Sequence, residues 1–162
     1  MKTLLLMRHA KSSWADSGAE DHARVLNARG VRSAPVMGER LLAAGYVPDL
    51  ILVSTAARAR QTADLAAAVL DRGDRIDVSR RLYLAEADDI LKLVRQTPAE
   101  VATLLVVGHN PGMEELASHL AGSLQPFPTA AVAVFRHAGE DWSDFGDKRP
   151  ALIATLRPKD GD

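Results

Sequence analysis

Leu4-Leu5-Leu6-Met7-Arg8-His9 decides the fold class, because four apolar residues in a row stop at a guanidinium and an imidazole. A short continuous apolar run bounded by polar groups reads as a strand buried on both faces, as a sheet covered by helices requires. The pattern returns at Leu104-Leu105-Val106-Val107-Gly108-His109-Asn110-Pro111. In open α/β sheets ligands collect at the carboxyl ends of strands. His9 and His109 are therefore expected to face one crevice.

Outward from these runs the chain alternates. Leu50-Ile51-Leu52-Val53, Ala131-Val132-Ala133-Val134-Phe135 and Leu152-Ile153-Ala154 are further strand candidates. Between the first two strands, Ala34, Met37, Leu41 and Ala44 recur at helical spacing, with Gly45 as the stop. Pro35 either marks a late start of that helix near Ser33 or kinks one that begins near Asn27. Thr62, Leu65, Ala66, Val69 and Leu70 mark a second helix ended by Asp71-Arg72-Gly73, and Ile90, Leu91 and Val94 a third before Pro98. For the fourth, Asn110 caps, Pro111 takes the first helical position, Met113, Leu116, Ala117 and Leu120 form the stripe, and Gly122 ends it. Such alternation argues for an α/β fold. Segments 122–129 and 137–150, punctuated by Gly and Pro, read as loops, with Trp142 and Phe145 expected to cover the core rather than form a contact surface. The tail from Pro158 to Asp162 is expected to fray.

A chain of 162 residues fits one domain, 1–162, with a sizeable core. Its 20 Lys+Arg against 21 Asp+Glu leave a formal net charge of -1, which provides no bulk attraction to nucleic acid or anionic membrane. The absence of cysteine excludes disulfides, thiolate nucleophiles and cysteine-ligated metal centres, and fits a reducing compartment. The opening apolar run is too short for a signal-peptide core or a membrane span. A cytoplasmic location without nucleic-acid or membrane partners is the expectation, and the oligomeric state stays open.

The candidate chemistry sits at the strand ends. Arg8 brings a permanently charged fork of donors beside His9, which suits a phosphoryl group better than a packed core. After the second strand, Ser54-Thr55-Ala56-Ala57-Arg58 places small hydroxyl residues at a strand-to-helix turn and Arg58 near the first helical turn, where anions are favoured. Arg58 is a second candidate clamp on the same phosphate. Arg60 reads as a solvated surface arginine, and His22, His119 and His137 as structural or exposed histidines without such context. Two strand-end histidines with two strand-end arginines are hard to explain as packing.

These residues resemble the histidine phosphatase superfamily, whose mark is an Arg-His pair after the first strand. Arg8-His9-Ala10-Lys11-Ser12-Ser13-Trp14 is similar to the small phosphohistidine phosphatase (SixA-like) branch. The stretches 21–30, 54–62, 82–85 and 108–111 match later family blocks in order. The resemblance implies a three-layer α/β/α domain with a central, mostly parallel sheet, phosphoglycerate mutase-like, and a phosphate pocket at the strand ends. It implies that His9 attacks phosphorus and is transiently phosphorylated, and that Arg8, Arg58 and His109 bind the phosphoryl oxygens. Arg24 corresponds to an arginine near the pocket. Ala10 stands where the wider family has glycine, and reads as a mark of this branch. Two guanidiniums and a second imidazole offset charge on an in-line transfer, so the chemistry calls for no metal and no cofactor.

The general acid is open. Glu86 follows Leu82-Tyr83-Leu84-Ala85, either to protonate a leaving oxygen or simply as a surface glutamate before a helix. An alkoxide needs that proton, whereas phosphohistidine releases neutral imidazole and needs little help. The reading is therefore a phosphatase acting on phosphohistidine in a phosphorylated protein. The alternatives are a small-molecule phosphomonoesterase and, in another class, a non-catalytic phosphate-binding module.

Overall fold

In the computed structural model, which describes residues 1–16 and 18–158, the first apolar run forms β1 (Lys2–Arg8), with Leu4, Leu5, Leu6 and Met7 fully buried. There follow α1 (Ala28–Ala43), β2 (Leu50–Ser54), α2 (Ala57–Leu70), β3 (Ile76–Ser79), α3 (Ala87–Arg95), β4 (Thr103–Gly108), α4 (Gly112–Ala121), β5 (Val132–His137) and β6 (Ala151–Leu156). The strands make one sheet in the order β3-β2-β4-β1-β5-β6. β3, β2, β4 and β1 run parallel, while β5 and β6 add antiparallel to one side. The sheet is mixed and mostly parallel.

Alternation along β1 divides the core. Leu5 and Met7 join Ile51, Val53, Leu105 and Val107 under α1 and α2, through Met37, Leu41, Ala63 and Ala67. Leu4 and Leu6 join Leu104, Val106 and Phe135 under α3 and α4, through Ile90, Val94, Met113 and Leu116. Helices therefore cover both faces, the three-layer arrangement that buried parallel strands demand. Trp142 and Phe145 belong to the second core, stacked with ring centroids 5.5 Å apart, and the indole N–H donates to the Val101 carbonyl at 2.7 Å.

The structure decides the start of α1, which the sequence leaves open, keeps the stop of α2, and shifts the start of α4. α1 begins at Ala28, with Pro35 inside it and Asn27 capping through a side chain that accepts from the Gly30 N–H. α2 ends at Leu70, and Asp71, the first residue of the expected stop, takes the left-handed conformation at φ 56°. Pro111 flanks α4 instead of opening it, although the Asn110 side chain does accept from the Glu114 N–H at 3.2 Å. β3 has no counterpart in the sequence reading: it is a four-residue edge strand that, among the described residues, pairs only with β2, and it leaves Val78 exposed. The tail beyond Pro158, expected to fray, lies outside the described residues. No helix among the described residues is long and apolar enough to cross a membrane.

Candidate active site

Sheet register brings the two histidines together. In the parallel β1–β4 pair Met7 lies opposite Val107 and Arg8 opposite Gly108, and the residue that follows each strand is a histidine. His9 and His109 leave the sheet side by side, with ring centroids 5.3 Å apart. On the other side of β4, Val53 lies opposite Val107, so the end of β2 and the first turn of α2 carry Ser54 and Arg58 to the same crevice.

The tautomer of His9 follows from its neighbours. Its Nδ1 lies 2.7 Å from the Ala10 carbonyl. A carbonyl only accepts, so Nδ1 donates and the Nε2 lone pair is free. The Arg58 Nε–H is directed at that lone pair from 3.4 Å. Burial pushes the His9 imidazole down to about 4, the Ala10 bond opposes this, and the guanidiniums of Arg58, Arg8 and Arg24 lower it further. The ring is neutral at pH 7.

His109 is held to about 3, first by burial and then by His9 and Arg58, with Asp21 opposing. Its Nε2 lies 2.8 Å from the Ser54 hydroxyl, and the Tyr83 ring meets it edge-on at 5.5 Å. Its Nδ1 and the Nε of Arg8 are buried without a hydrogen-bond partner among the described residues. Buried polar atoms are rarely left this way, and a site awaiting a polar ligand is one setting in which they are. Arg8 donates through Nη1 to the Phe127 carbonyl at 3.1 Å, and burial lowers its pKa, with Glu114 opposing.

Arg24 and Arg58 are tied into a frame of polar bonds. Arg24 donates to the Ser13 carbonyl, the Ser12 hydroxyl and the Asp21 carboxylate, and its guanidinium lies 3.4 Å from the centre of the Trp14 ring. Arg58, 3% exposed, donates to the backbone carbonyl and the carboxylate of Asp21. Thr62 donates to the Arg58 carbonyl and accepts from the Ala10 N–H, which ties α2 to the loop after β1.

Arg8, His9, Arg24, Arg58 and His109 all line one cleft of about 230 Å³. Lys11, Ser12, Asn110 and Thr129 add further polar groups, while Trp14 and Leu84, both exposed, form its apolar rim. A pocket walled by guanidiniums around an uncharged imidazole lone pair is built to receive a compact anion next to a nucleophile.

The sequence pattern of the histidine phosphatase superfamily (branch 1) matches residues 4–88 of the chain. An uncharacterised protein of Mycobacterium tuberculosis is 38% identical across 94% of this chain and 100% of its own length. The chain belongs to the histidine phosphatase superfamily. Among solved structures, a candidate phosphohistidine phosphatase SixA from Nakamurella multipartitia superposes with a TM-score of 0.85 at 30% identity, covering 98% of this chain and 96% of its own. A second, from Agrobacterium tumefaciens, has a TM-score of 0.79 at 33% identity, covering 97% and 99%. The protein is thereby a histidine-dependent phosphatase with the phosphoglycerate mutase-like fold.

In this histidine phosphatase the five cationic or imidazole residues singled out from the sequence come together, and Glu86 does not join them. Glu86 flanks the N-terminus of α3, exposed, without a capping bond from its side chain, and it is not among the cleft-lining residues. Arg60 is exposed, as is His119 on α4. His137 pairs with Asp144 and lies opposite Lys2, at the far end of β1. His22 stands nearer the site than its polar loop suggests. Its Nε2 lies 2.8 Å from the Thr55 hydroxyl and its ring 4.7 Å from Tyr83. Sequence reasoning gave no role to Asp21 or Tyr83, took Ser54 only as a small hydroxyl residue at the strand-to-helix turn, and took Thr62 only as part of the stripe of α2. The matched blocks 21–30, 54–62 and 82–85 contain all four, and for Asp21 and Tyr83 that match is the only signal.

Proposed function

We propose that this phosphatase hydrolyses phosphohistidine on a protein substrate, with the phosphoryl group carried on His9. His9 Nε2 attacks phosphorus in line with the leaving nitrogen. The bond from phosphorus to the substrate imidazole breaks, and its electron pair stays on that nitrogen. Arg8, Arg58, Arg24 and His109 hold the oxygens as charge redistributes in the transition state. The Ala10 carbonyl keeps a proton on Nδ1 of His9 throughout. The phosphorylated ring is thus set to depart as neutral imidazole when water attacks phosphorus, both water hydrogens leaving with the released phosphate.

The observation that carries this reading is the chemistry of the cleft wall. Every titratable group among the described lining residues is a guanidinium, an ammonium or an imidazole. No carboxylic acid stands there to protonate an alkoxide, a contribution typically of about 10²–10⁴-fold for an alkyl ester. A substrate imidazole protonated on its other nitrogen leaves as a neutral molecule and bypasses that need. The exposed rim at Trp14 and Leu84 leaves the cleft open to a side chain presented by another protein. The two solved relatives named for phosphohistidine chemistry support the same substrate class.

The test is a comparison of kcat/KM on a phosphohistidine-bearing protein, free phosphohistidine, a sugar phosphate and a nucleotide monophosphate. The reading expects the phosphoramidate substrates to lead the alkyl esters by about a hundredfold or more, the order of one missing general acid. A sugar phosphate or nucleotide that is turned over best would contradict it.

A further inference from the structure

Asp21 lies outside the cleft wall, in a 3-10 turn (Asp21–Ala23) of the segment between β1 and α1, yet it bonds to both arginines that flank His9. Arg58 Nη1 donates to its backbone carbonyl at 2.7 Å and Nη2 to Oδ2 at 3.1 Å. Arg24 Nη1 donates to Oδ1 at 2.9 Å. The Tyr83 hydroxyl donates to Oδ2 at 2.6 Å. Donors from α2, from the loop before α1 and from the loop before α3 thus converge on one residue.

These bonds decide which edge of Arg58 faces the chemistry. A guanidinium offers five N–H donors in a fixed plane. Asp21 occupies the Nη side, and the Nε–H is what remains directed at His9 Nε2. Arg24 is fixed in the same way, by Asp21, Ser12 and Ser13 on its edges and Trp14 on its face. Two guanidiniums near one another repel, and a carboxylate shared between them offsets that repulsion while setting their relative orientation.

Resting on the site read above, we infer that Asp21 is a positioning residue for phosphoryl transfer: it orients Arg58 and Arg24 toward the phosphoryl group, and Tyr83 orients Asp21 in turn. Its carboxyl is held at about 2, first by the Tyr83 hydrogen bond and also by the two arginines. It therefore stays ionised throughout the working range, and its effect is geometric.

Asp21→Asn keeps the shape but turns an amide N–H₂ toward a guanidinium. Displacing a positioned group by about 1 Å is able to cost roughly a hundredfold in rate. The expected result is a kcat/KM lower by about that factor, together with at least about tenfold weaker inhibition by vanadate, whose five-coordinate form mimics the group in transfer. Tyr83→Phe should act in the same direction with a smaller loss, and add little in the double variant. Vanadate inhibition is the discriminating readout, because partial unfolding lowers kcat without changing the inhibition constant of the molecules that remain folded. Unchanged vanadate inhibition in Asp21→Asn overturns the proposal. If that variant does not fold, Tyr83→Phe decides alone: a several-fold weaker inhibition supports the role and an unchanged one overturns it. Arg58→Ala is the control on the site itself. If it leaves vanadate inhibition intact, the reading of the cleft fails; if it weakens inhibition and Asp21→Asn does not, only the role of Asp21 fails.

Discussion

Acidification is the perturbation to which the buried imidazole pair responds most directly. Burial holds His9 at about 4 and His109 at about 3, against an ordinary value of 6.5. Between those values and 6.5 the unfolded chain binds protons that the folded chain refuses. Unfolding free energy therefore rises with pH in this window and is lost as the medium is acidified. One proton taken up on unfolding corresponds to about 1.4 kcal/mol per pH unit, so His9 alone accounts for roughly 3 kcal/mol lost on going from pH 6.5 to its folded-state value. Asp21 acts in the same direction lower down. Its stabilisation is present above 3.8 and disappears as pH falls toward about 2. Urea unfolding at a series of pH values measures the slope in wild type and in His9→Gln, which removes one of the two buried imidazoles. The variant should show a slope shallower by up to about 1.4 kcal/mol per pH unit between pH 6.5 and the His9 value. Imidazole ¹⁵N shifts read the same quantity directly. An unchanged slope, or a His9 signal that titrates near 6.5, would refute the burial argument.

Three further outcomes are expected. Gly30→Ala should lower Tm and activity together: a Cβ there would meet the Lys11 carbonyl oxygen at 2.2 Å, and a backbone clash of roughly 1–3 kcal/mol outweighs the helix-propensity gain of about 1 kcal/mol. A thermal melt with matched kinetics checks this. Ser54→Ala should cost about 1–3 kcal/mol of stability, because it strands the buried His109 Nε2, and should slow turnover by loosening that ring. Glu86→Gln should leave kcat/KM within about twofold on every substrate, as expected for a surface change away from the cleft, and a selective loss on alkyl esters would return Glu86 to the general-acid role.

The parts of the fold that were legible are those buried on both faces. β1, β2 and β4 are apolar without interruption because helices cover them on each side, and an uninterrupted run is visible without knowledge of tertiary contacts. β3 is an edge strand of Ile76, Asp77, Val78 and Ser79, paired on one side only, and its sequence has no reason to be apolar throughout. Pro35 left the start of α1 undecided, because only the cap at Asn27 and the packing of Gly30 on Lys11 place the helix before it. In the site, His9 and His109 stand out because strands announce their own ends, and the Arg8–Gly108 register then sets the two rings side by side. Asp21 and Tyr83 lie in short turns with no periodicity to betray them. What they do depends on where Arg24 and Arg58 arrive in space.

The central claim is that His9 Nε2 accepts the phosphoryl group, and the most direct measurement is to trap it there. Rapid quench with a ³²P-labelled phosphohistidine protein, under alkaline conditions that preserve a phosphorus–nitrogen bond, followed by peptide mapping, should place the label on His9. His9→Ala should carry no label and turn over no substrate, while its far-UV spectrum and Tm show that the fold survives. Label on His109 or His22, or full turnover with no labelled enzyme at any time point, would contradict the account.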